Sequence, residues 1–328
     1  MQKRFVAICE DTPGDAWRER FLAGRAEAEG WYRGTGREAP PTAGECKAQL
    51  KRHMPELLGQ YERACAIVGE DDQLAPQIIS QFRPPPLQHG CTQLVWRGPD
   101  GPALVRNFDF PLDVTSEYFE STRWFGREVI AKGQRPWGGC LDGMNADGLV
   151  ASMTFGGGVA QGPGFSIILI VRYILETCSV VSEAVSALCR IPVALSQNVT
   201  VLDKTGAYAT VFLGPDRAPA VSHQPVCANH QDASVLTSPS KRLASSVTRQ
   251  QAAHRALDSS GATLAELAET FLMPPIYSRE ASSPTVYGAV YRPADLSVDY
   301  VWPGKVMTQR IGSFKASEYV HDYGELAT

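Results

Sequence analysis

Residues 90–110 read Gly90-Cys91-Thr92-Gln93-Leu94-Val95-Trp96-Arg97-Gly98-Pro99-Asp100-Gly101-Pro102-Ala103-Leu104-Val105-Arg106-Asn107-Phe108-Asp109-Phe110. Two runs of β-forming residues flank a Gly98-Pro99-Asp100-Gly101 turn, the pattern of a β-hairpin. Folding back in this way brings the start of the first strand, Cys91, towards the end of the second, Arg106 to Asp109. A thiol, a guanidinium and a carboxylate then share one end of a sheet. Thiolate is the nucleophilic form of cysteine, a neighbouring cation favours it, and an anion can orient a proton carrier. A plainer reading fits the same residues: a buried, inert cysteine at a strand start, with a surface ion pair on the next strand. On this stretch alone the plainer reading is favoured, because free cysteine is usually buried and unreactive.

A chain of 328 residues is long enough for one large domain or two. Hydrophobic residues at 44% and charged residues at 20% suit an ordinary globular enzyme. The net charge of −4 gives no basic footprint for nucleic acid. Lys and Arg are scattered, which argues against a membrane-surface protein. The apolar run Phe5 to Cys9 is too short for a secretory signal and meets Glu10-Asp11 at once. The most apolar segment, 165–175, is interrupted by Arg172, and no stretch is long enough to span a bilayer. The eight cysteines form no CxxC pair and the histidines show no ligand spacing such as HxxxH. These features predict a cytoplasmic protein with no metal and no cofactor.

Around the hairpin, periodicity predicts a strand at 4–9, a helix from Asp15 to about Tyr32 and a loop at 33–43. A long helix is expected over 44–69, kinked at Pro55, and a short one within 70–79. Arg83-Pro84-Pro85-Pro86-Leu87-Gln88-His89-Gly90 reads as an extended connection. Residues 111–140 read as irregular. Asp142 to Gly148 reads as a turn feeding the strand Leu149–Phe155, which stops at Gly156-Gly157-Gly158. Helices follow at 164–178 and 180–190, and strands at 198–203, 207–213 and 219–222, with a further short one at 226–228. Helices are expected at 239–257 and 262–273, and strands at 285–291, 297–302 and 307–311. Strands, then helices, then strands suggest a layered sandwich.

Gly90-Cys91-Thr92, followed by Val105-Arg106-Asn107-Phe108-Asp109-Phe110, resembles the N-terminal-nucleophile (Ntn) cysteine hydrolases. The resemblance is to the branch of acyl-coenzyme A:6-aminopenicillanic acid acyltransferase, related to choloylglycine hydrolases, penicillin V acylases and acid-ceramidase-type amidases. Gly143-Met144-Asn145-Ala146-Asp147-Gly148-Leu149 is similar to the family's GxNxxGL turn, with Ala146 where Glu is common. Phe155-Gly156-Gly157, Arg172 to Cys178, and Ala228-Asn229-His230 resemble further blocks, in the family's order.

The resemblance implies an α+β fold, a four-layer αββα sandwich of the Ntn-hydrolase type. It implies a precursor that cuts its own Gly90–Cys91 bond. Residues 1–90 would then be an N-terminal helical pro-segment that stays associated, and 91–328 the catalytic domain. Cleavage frees an α-amino group on the residue that carries the thiol. With free values of about 7.7–8.0 and about 8.5, one can relay the other's proton near neutral pH. Arg106 would lower the thiol's pKa, Asp109 would orient the new α-amino group, and Asn229 would donate to the oxyanion. Thr154, Phe155 and Gly156 are candidate oxyanion or substrate contacts. The implied substrate is a small-molecule amide or acyl thioester, resolved by water or an amine; a homodimer is left open. Two rivals stay open at this stage: a self-processing but non-catalytic binding or assembly protein, and a Cys91/His230 thiol peptidase.

Overall fold

The hairpin forms as read. Gly90–Gly98 and Gly101–Asp109 pair antiparallel, with Cys91 opposite Phe108 and Gln93 opposite Arg106. Only Pro99 and Asp100 lie between the strands, and Gly101 takes φ +83°, a left-handed conformation that a residue without Cβ adopts freely. A computed structural model describes residues 1–34, 40–69, 71–86, 90–135, 137–231 and 241–327. The sequence-predicted loop at 33–43, the connection at 83–90 and the helix at 239–257 therefore fall partly outside the described residues.

In chain order the elements begin with β1 (Gln2–Cys9) and α1 to α5 (Asp15–Ala23, Arg25–Tyr32, Ala43–His53, Leu58–Val68, Ala75–Ser80). The hairpin strands are β2 and β3. Then come β4 (Tyr118–Thr122), β5 (Val129–Gln134), β6 (Gly139–Asn145) and β7 (Val150–Phe155), followed by α6 (Ile167–Thr177) and α7 (Val181–Arg190). The chain continues through β8 (Gln197–Leu202), β9 (Tyr208–Gly214), β10 (Arg217–Ser222) and β11 (Val226–Cys227), then α8 (Lys241–Leu257) and α9 (Leu264–Thr270). It ends with β12 (Thr285–Arg292), β13 (Ser297–Trp302), β14 (Lys305–Arg310) and β15 (Ser317–Asp322).

Two sheets result, ordered β10-β9-β8-β7-β6-β5-β4-β1-β15 and β11-β2-β3-β12-β13-β14. They face one another, with α6 and α7 on the outer side of the nine-stranded sheet and α8 and α9 outside the six-stranded one. This is the four-layer αββα sandwich. Strand alternation sorts the hairpin's side chains between two cores. Leu94, Trp96 and Val105 pack with Leu264, Leu267 and Phe271 under the outer helices. Cys91, Val95, Leu104 and Phe108 face the other sheet. That inter-sheet layer is aromatic: Phe119 lies 4.0 Å from Tyr300 between ring centroids, and Phe5 lies 5.0 Å from Trp302. Such pairs add about 0.5–1.5 kcal/mol each beyond their burial.

The structure departs from the sequence reading in four places. Residues 111–140 are not irregular, since β4, β5 and the start of β6 lie there. Their buried polar residues hide the strand pattern. Lys132 is fully buried and donates from Nζ to the carbonyls of Ser116 and Gly133; burial pulls its pKa down to about 7. Asp142-Gly143-Met144-Asn145 is strand rather than turn, and the turn proper is Ala146-Asp147 with Gly148 at φ +81°. The helix expected to reach Tyr32 breaks at Gly24, and the helix over 44–69 breaks at Met54-Pro55. Exposed β15, paired with β1, was not expected.

Residues 1–90 give the nine-stranded sheet one of its strands: β1 pairs parallel with β4 and antiparallel with β15. Among the described residues no helix is long and apolar enough to cross a membrane.

Gly24 marks a close approach, because a Cβ there would sit 2.3 Å from Trp137 Cζ2. Gly24→Ala is expected to cost about 1–3 kcal/mol by overpacking, read as a lowered midpoint in thermal denaturation. A midpoint equal to wild type would show that the indole yields freely.

Candidate active site

Cys91 is fully buried at the start of β2. Because it stands opposite Phe108, its side chain shares the inter-sheet face with Arg106 and Phe108. Arg106 Nη2 donates to Cys91 Sγ at 3.4 Å. The guanidinium is itself fully buried, 5.6 Å from the Phe108 ring and 5.9 Å from the Tyr287 ring. Its Nη1 lies 2.7 Å from Asp142 Oδ2 and donates to the Leu141 carbonyl and Ser152 Oγ. Burial is the largest influence and opposes the arginine's charge, but Asp142, Tyr287, Cys91 and Tyr291 together outweigh it and the pKa is raised.

Asp109 projects from the opposite face of β3. Its Oδ1 accepts from Thr285 Oγ1 at 2.6 Å, and its Oδ2 lies 3.8 Å from Arg249 Nη1. Burial raises its pKa, against the pull of Arg249 and the Thr285 hydrogen bond. Gly90 lies beside it in register, and a Cβ on Gly90 would meet Asp109 Cβ at 2.8 Å. Only glycine fits against this carboxylate without a shift.

Asn229, just beyond β11, reaches the backbone of Cys91. Its Oδ1 accepts the Cys91 N–H at 2.8 Å, and its Nδ2 donates to the Phe155 carbonyl at 3.3 Å. The Asn229 amide thus presents its acceptor to Cys91 and its donor to the Phe155 carbonyl. Asp109, for its part, binds Thr285 rather than the Cys91 nitrogen.

Thr154 stands behind this group: its Oγ1 donates to the Ala228 carbonyl and accepts from Asn198 Nδ2. Gly156 is hemmed in, since a Cβ would come within 2.4 Å of Ser196 Oγ. The structure therefore gathers Cys91, Arg106, Asp109, Gly90, Asn229 and the Phe155 carbonyl, and leaves Thr154 and Gly156 as supports.

His230 turns away from its neighbour. Its Nδ1 bonds Ser246 Oγ at 2.8 Å, and the same hydroxyl accepts the Asn229 N–H. Burial lowers its pKa. Nothing joins it to Cys91, so a Cys91/His230 dyad has no support among the described contacts.

Arg249, on α8, was missed by the sequence reading. It donates from Nη1 to the Cys91 carbonyl and Thr92 Oγ1, and from Nη2 to Asn229 Oδ1 at 2.8 Å. The signal available was slight: small Ser245 and Ser246 lie one turn before it, on a helix too polar to read as buried.

The thiol's surroundings set its state. Its pKa is pushed up to about 12: burial raises it most, Arg106 and Arg249 pull against that, and Asp109 and Asp142 add to it. In the intact chain it is therefore a neutral thiol at pH 8.

A model of the family described as acyl-coenzyme A:6-aminopenicillanic acid acyl-transferase matches residues 96–306. Among solved structures, the chain is similar to a Caenorhabditis elegans N-acylethanolamine-hydrolyzing acid amidase ortholog, at 16% identity and TM-score 0.47, covering 62% of this chain and 93% of that one. It is also similar to penicillin V acylase from Agrobacterium tumefaciens, at 17% identity and TM-score 0.44, covering 66% and 84% respectively. A mutant conjugated bile acid hydrolase from Clostridium perfringens aligns at 13% identity and TM-score 0.48, over 71% of this chain and 97% of that one. No curated protein sequence matches significantly.

In the intact chain at pH 8, iodoacetamide is expected to label the exposed Cys9 and Cys189 and to spare Cys91. Peptide mass spectrometry reads this directly. Equal labelling of Cys91 and Cys189 would contradict the buried, protonated thiol.

Proposed function

The chain belongs to the acyl-coenzyme A:6-aminopenicillanic acid acyl-transferase family, and on that premise we propose that it is an Ntn amidohydrolase or acyltransferase whose nucleophile is Cys91. The observation that carries this reading is the buried thiol held 3.4 Å from a buried guanidinium, directly after a glycine.

Self-processing comes first. Cys91 Sγ attacks the Gly90 carbonyl carbon, and the Gly90–Cys91 C–N bond breaks. The nitrogen takes up a proton and becomes the α-amino group of Cys91, leaving Gly90 as a thioester on sulfur. Water hydrolyses the thioester to the Gly90 carboxylate and restores the thiol. Asn229 Oδ1, already bonded to the Cys91 nitrogen, retains the freed amine. Arg249 fixes the strand through the Cys91 carbonyl.

In turnover the α-amino group takes the thiol proton, and Sγ attacks the carbonyl of an amide or thioester substrate. Asn229 Nδ2 turns from the Phe155 carbonyl to the oxyanion. Collapse expels the amine or thiol with a proton and leaves an acyl-Cys91 thioester. Water or an amine resolves it, so hydrolysis and transfer share one intermediate.

A cavity of about 200 Å³ suits the acyl part. It is lined by Ala28, Trp31, Phe110, Val114 and Trp137, with Arg135 among its walls. Phe110, which lines it, lies 5.5 Å ring to ring from Phe108, the residue opposite Cys91. An apolar acyl group is the expected occupant.

The purified wild-type protein should give two associated chains, one ending at Gly90 and one starting at Cys91, while Cys91→Ala stays a single chain of 35.7 kDa. An intact wild-type protein with full activity would sink self-processing. On cleaved enzyme, Asn229→Ala should lower kcat roughly 10²–10³-fold and leave the thiol's pKa in place. A screen of amides and thioesters, with mass detection of an acylated Cys91 peptide, identifies the substrate; a reactive Cys91 that no acyl donor modifies would favour a non-catalytic protein.

A further inference from the structure

A buried arginine beside a carboxylate ordinarily forms a two-point fork, both terminal nitrogens against both oxygens. Arg106 does not. Its Nη1 pairs with Asp142 Oδ2 at 2.7 Å, while Nη2 turns to Cys91 Sγ at 3.4 Å. The reason lies on the carboxylate. The Tyr291 hydroxyl donates to Asp142 Oδ1, the oxygen a fork would need, and the Tyr287 hydroxyl adds a second donor at Oδ2. Both tyrosines stand on β12, two turns of the pleat apart and on the same face, and all four side chains are fully buried. Arg106 Nε has no hydrogen-bond partner among the described residues. The guanidinium is therefore oriented by what its two terminal nitrogens hold. Burial, and then the neighbouring Asp142, raise both tyrosines far above their usual pKa, so they stay donors throughout the working range.

We propose that Asp142 and Tyr291 are positioning residues for the nucleophile: Tyr291, by occupying Oδ1, keeps the ion pair to one point and leaves Nη2 for the sulfur. This rests on the reading of Cys91 as the nucleophile. The charged groups that act on the thiol are Arg106 from β3 and Asp142 from β6 within the inter-sheet layer, and Asp109 from β3 and Arg249 from α8 across the hairpin's other face. Of these, Arg106 is the one that donates to the sulfur. Without the Tyr291 hydroxyl, Oδ1 is open and Arg106 swings into the fork. The sulfur then loses its donor, and the thiol's pKa rises.

The test is the rate of iodoacetamide alkylation of Cys91 against pH in the cleaved protein, read on the Cys91 peptide with exposed Cys189 as internal reference. Tyr291→Phe should raise the midpoint by about one pH unit, roughly a tenfold slower reaction at a fixed pH below it. Tyr287→Phe leaves Oδ1 occupied and should shift it less. Tyr319→Phe removes a hydroxyl from the same aromatic layer that bonds the His321 ring rather than Asp142, and should leave it unchanged. Asp142→Asn separates positioning from simple charge. If Asp142 acted only as an opposing anion, its neutralisation would lower the midpoint; as a positioning residue it should raise it. A fall in Asp142→Asn, or equal shifts in Tyr287→Phe and Tyr291→Phe, would overturn the inference. Either the Tyr291 or the Asp142 variant suffices should the other fail to fold. A wild-type Cys91 that reacts no faster than Cys189 at neutral pH defeats the nucleophile reading. A fast wild-type Cys91 whose profile ignores both variants defeats this inference alone.

Discussion

The ion pair between Arg106 and Asp142 is the constraint on which the centre of the molecule depends. It crosses from β3 in one sheet to β6 in the other, and both groups are wholly buried. Removing such ions from water costs several kcal/mol each, and attraction offsets this only when geometry is good and the remaining polar atoms are satisfied. Here two tyrosine hydroxyls, a serine and a backbone carbonyl supply most of the rest. The chain of bonds continues through Ser152 to Gln93 and on to Thr200. The aromatic layer between the sheets can slide at small cost, since ring contacts tolerate many offsets. This polar line cannot, because hydrogen bonds weaken steeply with angle. The sheets are thereby held at one relative position, and that position puts a cation against a thiol.

The hairpin divides its labour by alternation. Cys91, Gln93 and Arg106 enter the inter-sheet space, whereas Thr92 and Asp109 face α8 and its Arg249. The sulfur and the carboxylate thus sit on opposite faces of the same two strands. Gly90 is where the two faces meet, with no side chain to separate the backbone from Asp109. Arg249 binds the carbonyl of Cys91 on one side and Asn229 on the other. It ties the main chain of Cys91 to the residue that holds its nitrogen.

Much of this was legible in the sequence. The turn residues at 98–101 fix the register, and register alone carries Cys91 to Phe108 and Gln93 to Arg106. What the sequence obscured was polar and buried. Asp142 and Lys132 sit in β6 and β5, and each breaks the alternation by which a strand is recognised. Asp-Gly is also a strong turn signal, so Asp142-Gly143 read as a corner when its carboxylate is the partner of Arg106. Arg249 lay 158 residues from Cys91 on a polar helix, and nothing local distinguishes it from a solvated arginine. Each of these residues is explained only by a partner on a distant strand or helix.

The place of β1 has a consequence for the life of the molecule. Residues 2–7 pair with 317–322, so this edge of the sheet is completed only once residues 317–322 have been made. Folding such a long-range contact is slow but is helped by the tether between its ends. A chain severed between Gly90 and Cys91 would no longer have that tether. Its first strand would belong to a separate polypeptide, held by β1's hydrogen bonds to two neighbours and by core burial of residues such as Phe5 and Phe21. Once such a molecule unfolded, reassembly would depend on concentration, and the exposed edges of β4 and β15 would compete for other partners. The mature form would then endure by the slowness of its unfolding rather than by its capacity to refold.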